Sequence, residues 1–296
     1  MSTVNFSNQQ KIDLHTHTRC SDGQLTPAEL VMRAHTMQVD VLAITDHDTV
    51  SGVAAARAFQ HTQKRPLSII SGIELSTRWH GFDIHVVGLN VDEDNPQFLA
   101  RLAQQHACRE QRAIKIADKL AKCGMPDVGE AVLAMQHTEQ VTRSHFAKAM
   151  VTLGHVKDPA QAFKQYLGKG KRAHVSPQWI ALSEAIEWIH AAGGQAVLAH
   201  PSHYSMTTKW LRRLVAEFSS AGGDAMEVNY PNLTPDKQRL LLEMLSENNL
   251  KASVGSDFHM PSRWTELGRR SRLPDGVMPI WHDWPIIDNA SSQRDS

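Results

Sequence analysis

Apolar and polar positions follow two rhythms along this chain, and the change of rhythm divides it. Up to about residue 91, short apolar runs rich in β-branched residues alternate with segments whose apolar positions recur every three or four residues. The runs predict strands over 11–15, 39–45, 67–74 and 82–89; the periodic segments predict helices over 27–37 and 53–60. The alternation returns later, with helices over 183–192, 209–219 and 235–247 and strands over 195–199, 224–229 and 250–256. Gly193-Gly194 stops the first of those helices. Alternating strands and helices imply parallel strands with helices outside, and a barrel of this kind carries ligands at the carboxyl ends of its strands.

Between about 92 and 178 the strand rhythm stops. A long helix is expected over 96–123, ended by Gly124 and Pro126, with shorter ones over 129–136, 142–152 and 159–167. This stretch leaves just after the strand holding His85, so it is placed on the ligand-bearing rim. The chain is read as a discontinuous barrel over 1–91 and 179–287, a helical insertion or lid over 92–178, and a polar, frayed tail over 288–296.

Chemistry gathers where the apolar runs end. Asp13-Leu14-His15-Thr16-His17 is followed by Ser21-Asp22-Gly23. Ile44-Thr45-Asp46-His47-Asp48, Gly72-Ile73-Glu74-Leu75-Ser76, Ile84-His85, Leu198-Ala199-His200-Pro201 and Gly255-Ser256-Asp257-Phe258-His259 repeat the pattern. In extended chain, residues i and i+2 point the same way, so His15 and His17 can grip one ion. Glu74 and Asp257 at the ends of buried apolar runs are costly unless paired or metal-bound. One His on a strand is more often structural, the remaining histidines, such as His35, His61, His106, His137 and His190, are read without a functional role, and Asp22 could be a turn residue before Gly23. The joint pattern favours metal. Nine such groups suggest three ions, which could activate water and clamp a phosphate's oxygens, and so suit phosphoester hydrolysis.

Composition narrows the class. The chain has 296 residues, 41% of them hydrophobic, enough for a large core. No apolar run approaches the roughly 20 residues of a membrane span, and residues 1–11 lack a signal-peptide core. A cytoplasmic protein is expected. Its three cysteines are too few and scattered for a disulfide framework. Basic and acidic residues balance at 31 each, so any nucleic-acid partner should be short or gripped locally. The basic face Arg112, Lys115, Lys119 and Lys122 of the long helix is read as exposed surface, and Trp79 beside His80 as a candidate for base stacking.

D-L-H-T-H-T with S-D-G, I-T-D-H-D, G-I-E-L-S, L-A-H-P and G-S-D-F-H together resemble the PHP (polymerase and histidinol phosphatase) superfamily. With T-R-S-H-F-A, Y-L-G-K-G-K, P-Q-W, G-D-A-M-E-V and E-L-G-R added, nearly the whole chain is similar to its bacterial YciV/TrpH subfamily. The resemblance implies an α/β fold, a distorted (β/α)7 TIM-like barrel, with three divalent ions and a metal-bridging hydroxide as nucleophile. Mn²⁺ is the expected ion; Zn²⁺ or Fe²⁺ would also suit these ligands. It implies His15, His17, Glu74 and Asp257 on a first ion, Glu74 bridging to a second held by His85 and His200, and Asp22, His47 and His259 on a third. Asp13, Asp46 and Asp48 would fix imidazole tautomers.

The implied activity is 5′→3′ exoribonuclease action on short 5′-monophosphorylated RNA, with 3′-phosphatase action on 3′,5′-bisphosphate nucleotides such as pAp. Arg143 and His145, Lys171 and Arg172 beside Lys169, and Arg269 are the candidates for holding substrate phosphate. His203 stands where close relatives can carry arginine. No membrane and no obligate protein partner are expected, and no general acid stands out. Two rivals are a small-molecule phosphatase of the histidinol-phosphatase type and a non-catalytic PHP scaffold. The insertion with its T-R-S-H motif disfavours the first; nine filled positions disfavour the second.

Overall fold

The structure, a computed structural model, describes residues 10–134, 140–263 and 265–284. Residues 1–9, the expected tail over 288–296, His137 and the last residues of the helix expected over 129–136 lie outside the described residues.

A single sheet curls into a barrel, in the order β1 (Ile12–Asp13), β2 (Val41–Ile44), β3 (Ser68–Trp79), β4 (Phe82–Leu89), β6 (Gln195–Leu198), β7 (Ala225–Asn229) and β8 (Lys251–Val254). The short β5 (Ile180–Ala181) pairs with the outer end of β3. The last strand meets the first through Leu14 N–H to Val254 O at 3.3 Å and His17 N–H to Phe258 O at 2.9 Å. Inside lie Leu14, Val41, Ala43, Ile70, Val87, Val197 and Val254, with Trp281 and Trp284 packed against them. A second core joins the barrel's outer face to α1 (Pro27–Thr36), α2 (Ser51–Gln60), α7 (Leu182–Ala191), α8 (Thr208–Ser220) and α9 (Pro235–Glu247).

One strand breaks the expected parallel order. β4 runs antiparallel to both β3 and β6. The connection from β3 is only His80-Gly81, both at positive φ (44° and 83°). Two residues in that conformation make a hairpin, whereas a parallel crossover needs a dozen or more. Hairpin pairing also carries β3 past the expected end at 74, on to Trp79. Glu74 is therefore a mid-strand residue.

The reversal moves the start of the insertion. The chain leaves β4 at the end opposite the site, where Asp92 N–H bonds to Ala192 O at 2.8 Å just before β6. It reaches the rim by climbing. Helix α3 (Pro96–Lys122) has 27 residues and a length of about 40 Å. It starts with Asn95 capping Phe98 N–H and Pro96 in the first turn. Phe98 and Leu102 pack into the outer core of the barrel. Ala113, Ile116 and Leu120 instead build a separate core with α4 (Pro126–Leu133), α5 (Arg143–Thr152) and Leu167. Between the two cores, Gln105 and Arg109 are buried.

Candidate metal centre

Six segments deliver their polar residues to one rim. His15 Nε2 and His17 Nε2 each lie 3.3 Å from Glu74 Oε2, and Asp257 Oδ1 lies 3.6 and 3.3 Å from them. Glu74 Oε1 faces His85 Nδ1 at 2.8 Å and His200 Nε2 at 3.0 Å. His47 Nδ1 approaches Glu74 Oε2 at 2.9 Å. Asp22 Oδ1 lies 3.1 Å from His259 Nε2 and 3.8 Å from His47 Nε2. His85 sits near the start of a descending strand, so it stands level with residues at the ends of ascending ones; its carbonyl accepts Ala199 N–H at 3.2 Å.

All nine residues expected from the sequence come together. The ligating atoms of eight of them form three overlapping groups: His15, His17, Glu74 and Asp257; His47, Glu74 and His85; and His17, Asp22, His47 and His259. His200 stands beside the second, its Nε2 on the Glu74 oxygen that also faces His85. The grouping differs in detail from the one the resemblance implied, because His47 turns toward Glu74 as well as Asp22, and the His17 ring lies 4.1 Å from that of His259.

The donor set fits divalent cations. His15 Nε2, His17 Nε2, Asp22 Oδ1, His47 Nδ1 and Glu74 Oε2 are buried and have no hydrogen-bond partner. Unpaired buried polar atoms are expensive, and convergence of this many makes a site able to hold cations. Imidazole nitrogen with carboxylate oxygen suits Mn, Fe or Zn. Without cations the histidines balance the carboxylates by taking protons. Burial opposes charge on His15, but Glu74, Glu227 and Asp257 outweigh it and hold that ring well above its ordinary value. Burial is likewise outweighed at His259, which Asp22 and Asp257 push up to about 10. Against burial, His259 holds Asp22 and Asp257 low, and His85 does the same for Glu74. His47 is an exception, lowered by burial.

The carboxylates expected to orient imidazoles do other work. Asp13 accepts Ser256 N–H and Gly268 N–H, each at 2.8 Å. Asp46 accepts Thr18 N–H, Thr18 Oγ1 and Ser21 Oγ, pinning the loop that carries Asp22. Asp48 accepts Ser76 N–H at 2.8 Å and Arg109 Nε at 2.5 Å, joining β3 to α3. None of the three bonds to an imidazole among the described residues. The group that does is Glu227, whose Oε1 lies 2.8 Å from His15 Nδ1. Its signal was a carboxylate inside the apolar strand segment Ala225-Met226-Glu227-Val228.

A cavity of about 340 Å³ opens from this centre. Asp22, His47, Glu74, His85, His200, Asp257 and His259 line one end; Arg109, Arg112, Thr142, Arg143, Ser144, Phe163 and Trp179 line the other. Thr142 links the two, because its hydroxyl donates to Asp22 Oδ2 at 3.0 Å and accepts Ser144 N–H at the start of α5. Arg112 donates Nε to Val175 O at 3.1 Å, while its Nη2 is buried without a partner. Arg109 and Arg112 lie 4.9 and 5.3 Å from the Trp179 ring. Burial, and then Arg143 beside it, press Arg112 down to about 9, still charged at neutral pH. Asp83, paired with Arg78 at 2.8 Å, also lines the cavity; three guanidiniums beside one carboxylate favour an anion.

Of the expected phosphate-holding residues, Arg143 lines this cavity. His145 does not; its Nδ1 accepts Thr142 N–H at 3.0 Å and closes a capping box at the start of α5. Lys171 and Arg172 line a different cavity, with Lys164 and Tyr166, after the π-helical turn Phe163–Leu167. Lys169 donates to Gly81 O at 3.1 Å. Arg269 is exposed and bonds to Arg263 O at 2.9 Å within its own turn. Arg112, expected on the surface, belongs to the cavity. Trp79 is buried and donates its indole N–H to Glu217 at 2.6 Å, so it offers no face to a base.

Comparison with known proteins gives consistent results. The family described as PHP domain matches residues 13–198. A 5′-3′ exoribonuclease of Haemophilus influenzae is 46% identical over 92% of this chain and 98% of its own length. A 3′,5′-nucleoside bisphosphate phosphatase of Chromobacterium violaceum is 36% identical over 92% of this chain and 95% of its own. Among solved structures, a Chromobacterium violaceum protein described as an amidohydrolase, with bound sulfate and no metal, superposes with a TM-score of 0.86. It is 36% identical, and the match covers 95% of this chain and 96% of that one.

Proposed function

The chain belongs to the PHP domain family, and from there we propose a hydrolase of phosphoester bonds with two uses of one site. It releases 5′-mononucleotides, one by one, from the 5′ end of short 5′-monophosphorylated RNA. It also removes the 3′-phosphate of 3′,5′-bisphosphate nucleotides such as pAp. The names of the two relatives, one for each activity, support this reading. It would act in the cytoplasm, where such RNA is found.

The observation that carries the proposal is the two-ended cavity. Its size is at the small end for a small-molecule site. One wall is built for cations, the other for an anion. A nucleotide phosphorylated on both sides matches that polarity. Arg143 and Arg112 would hold the 5′-phosphate, leaving the phosphorus on the 3′ oxygen against the metal ligands. Holding the 5′-phosphate at that end would set the register from the 5′ end. If the next nucleoside is replaced by a proton, exonuclease cleavage becomes phosphatase cleavage.

Three divalent ions, Mn²⁺ first among them, would be held by His15, His17, Asp22, His47, Glu74, His85, His200, Asp257 and His259. Bound there, they supply water activation and charge neutralisation at the phosphate. The protein's part is to share Glu74 between neighbouring positions, to orient the imidazoles, and to fix the nucleotide so that its phosphorus stands at the right end. The test is incubation with Mn²⁺ on 5′-phosphorylated RNA, 5′-hydroxyl RNA and pAp side by side. Successive 5′-mononucleotides from the first, little from the second, and AMP with phosphate from pAp are expected. Cleavage of pAp alone would restrict the protein to a nucleotide phosphatase. Inertness of the metal-loaded protein on every phosphoester would restore the scaffold reading.

A further inference from the structure

We infer that Glu227 is a positioning residue for two of the metal positions at once. The inference rests on the metal centre proposed above and assigns a role to a residue outside the nine ligands. Glu227 is 1% exposed, deep in the barrel wall on β7. Its two carboxylate oxygens have different partners. Oε1 accepts His15 Nδ1–H at 2.8 Å; Oε2 accepts the backbone N–H of His200 at 2.6 Å. In the first bond, donation from Nδ1 leaves Nε2 as the nitrogen that would face an ion beside Glu74 and Asp257. The second holds the backbone of His200, which sits in the left-handed region at φ 31° and ψ 53°. A non-glycine residue there is strained and needs its surroundings to hold it.

Two further features are consistent with this use. The β7–β8 register shifts between Glu227 and Asn229, and a bulge re-aims a strand's side chains. Gly255 then leaves the needed space, since a Cβ there would come within 2.8 Å of Glu227 Oε1 and 2.3 Å of His15 Cβ. One carboxylate thus clamps a ligand of the first ion and a ligand of the second. Asp22 and His259 have no bond to it.

The test compares Glu227→Gln and Glu227→Asp with the wild type by titrating metal-free protein with Mn²⁺, followed by calorimetry and by the signal of free Mn²⁺. The Gln side chain must present an N–H to one of two donors, or force His15 into the other tautomer. Its expected effect is about 10- to 100-fold weaker binding at two positions, as for outer hydrogen-bond partners of metal ligands generally. The third position should keep wild-type affinity. Glu227→Asp keeps the charge but loses reach, and should fall between; it decides the matter alone if the Gln protein does not fold. A merely structural role would lower the melting temperature of the metal-free protein and leave Mn²⁺ affinity unchanged, which overturns the inference. Equal weakening at all positions also overturns it. A wild type that binds no divalent ion would remove the metal centre itself, and the inference with it.

Discussion

Replacing Arg109 with methionine tests how the insertion is fastened to the barrel. Arg109 is 5% exposed and Asp48 1%. The guanidinium donates Nε to Asp48 Oδ2 at 2.5 Å and Nη2 to Ser76 Oγ at 2.7 Å. Methionine keeps the apolar stem and removes every donor. Breaking a buried ion pair from one side costs about 3–5 kcal/mol, because the other charge stays buried. Asp48 would still accept Ser76 N–H at 2.8 Å and Gln105 Nε2 at 3.3 Å, so the low end, about 3 kcal/mol, is expected. For a chain of 296 residues this is a fall of about 5 °C in melting temperature. Urea unfolding of metal-free protein, with Asp48→Asn and the double variant, gives the coupling directly. The double variant should lose clearly less than the two singles together. A loss below about 1 kcal/mol for Arg109→Met, at unchanged m-value, would mean that the pair is effectively solvated and the fastening lies elsewhere.

Arg143→Ala should raise KM for 5′-phosphorylated RNA by about tenfold or more, the scale of a lost charge-assisted bond, and erase the preference over 5′-hydroxyl RNA. An unchanged preference would reject the phosphate pocket. Glu74→Gln should reduce turnover by at least about a thousandfold, since one carboxylate serves several positions; residual activity above a tenth, in protein shown to be metal-loaded, would contradict that. Treatment with EDTA should abolish both activities and Mn²⁺ restore them. In metal-free protein, Asp22, Glu74 and Asp257 are held low, so their stabilisation is present above the ordinary carboxylate values of 3.8 and 4.5 and is lost as pH falls. His15 and His259 are held high, so their contribution is complete below 6.5 and is lost as pH rises, toward about 10 for His259. Melting temperatures of metal-free protein should therefore peak near pH 5–6, and Mn²⁺ should remove the alkaline fall. A flat profile would refute the charge balance.

The barrel was legible because its two periodicities are distinct, and the convergence of the polar residues because their segments close or interrupt apolar runs, Asp22 alone following a polar turn. The direction of β4 was also written in the chain, at His80-Gly81, but a two-residue loop is a quiet signal beside a long apolar run. Gln105 and Arg109 left a trace as well. They stand three and seven residues after Leu102, on the same helical face as Ala113 and Ile116. Polar residues on an apolar stripe announce a buried partner without naming it. The basic residues were harder. Lys171, Arg172 and Arg269 are near motifs in sequence, but where a loop side chain points depends on the turn that carries it. The bond from Glu227 to His15 spans 212 residues, and nothing local to either reveals it.

The climb of α3 makes it a ruler. Most connections on a barrel tolerate added or missing residues, because a loop absorbs the change between fixed ends. A helix anchored by Phe98 below and Arg109 above cannot. One residue added between them would rotate everything beyond by about 100° and push it along by about 1.5 Å. Arg109 would leave Asp48, Arg112 would swing out of the cavity, and the insertion's core would turn with them. As this lineage diverges, length changes should accumulate in the turns beyond Leu120, while the interval from Phe98 to Ile116 keeps its count even where its letters change.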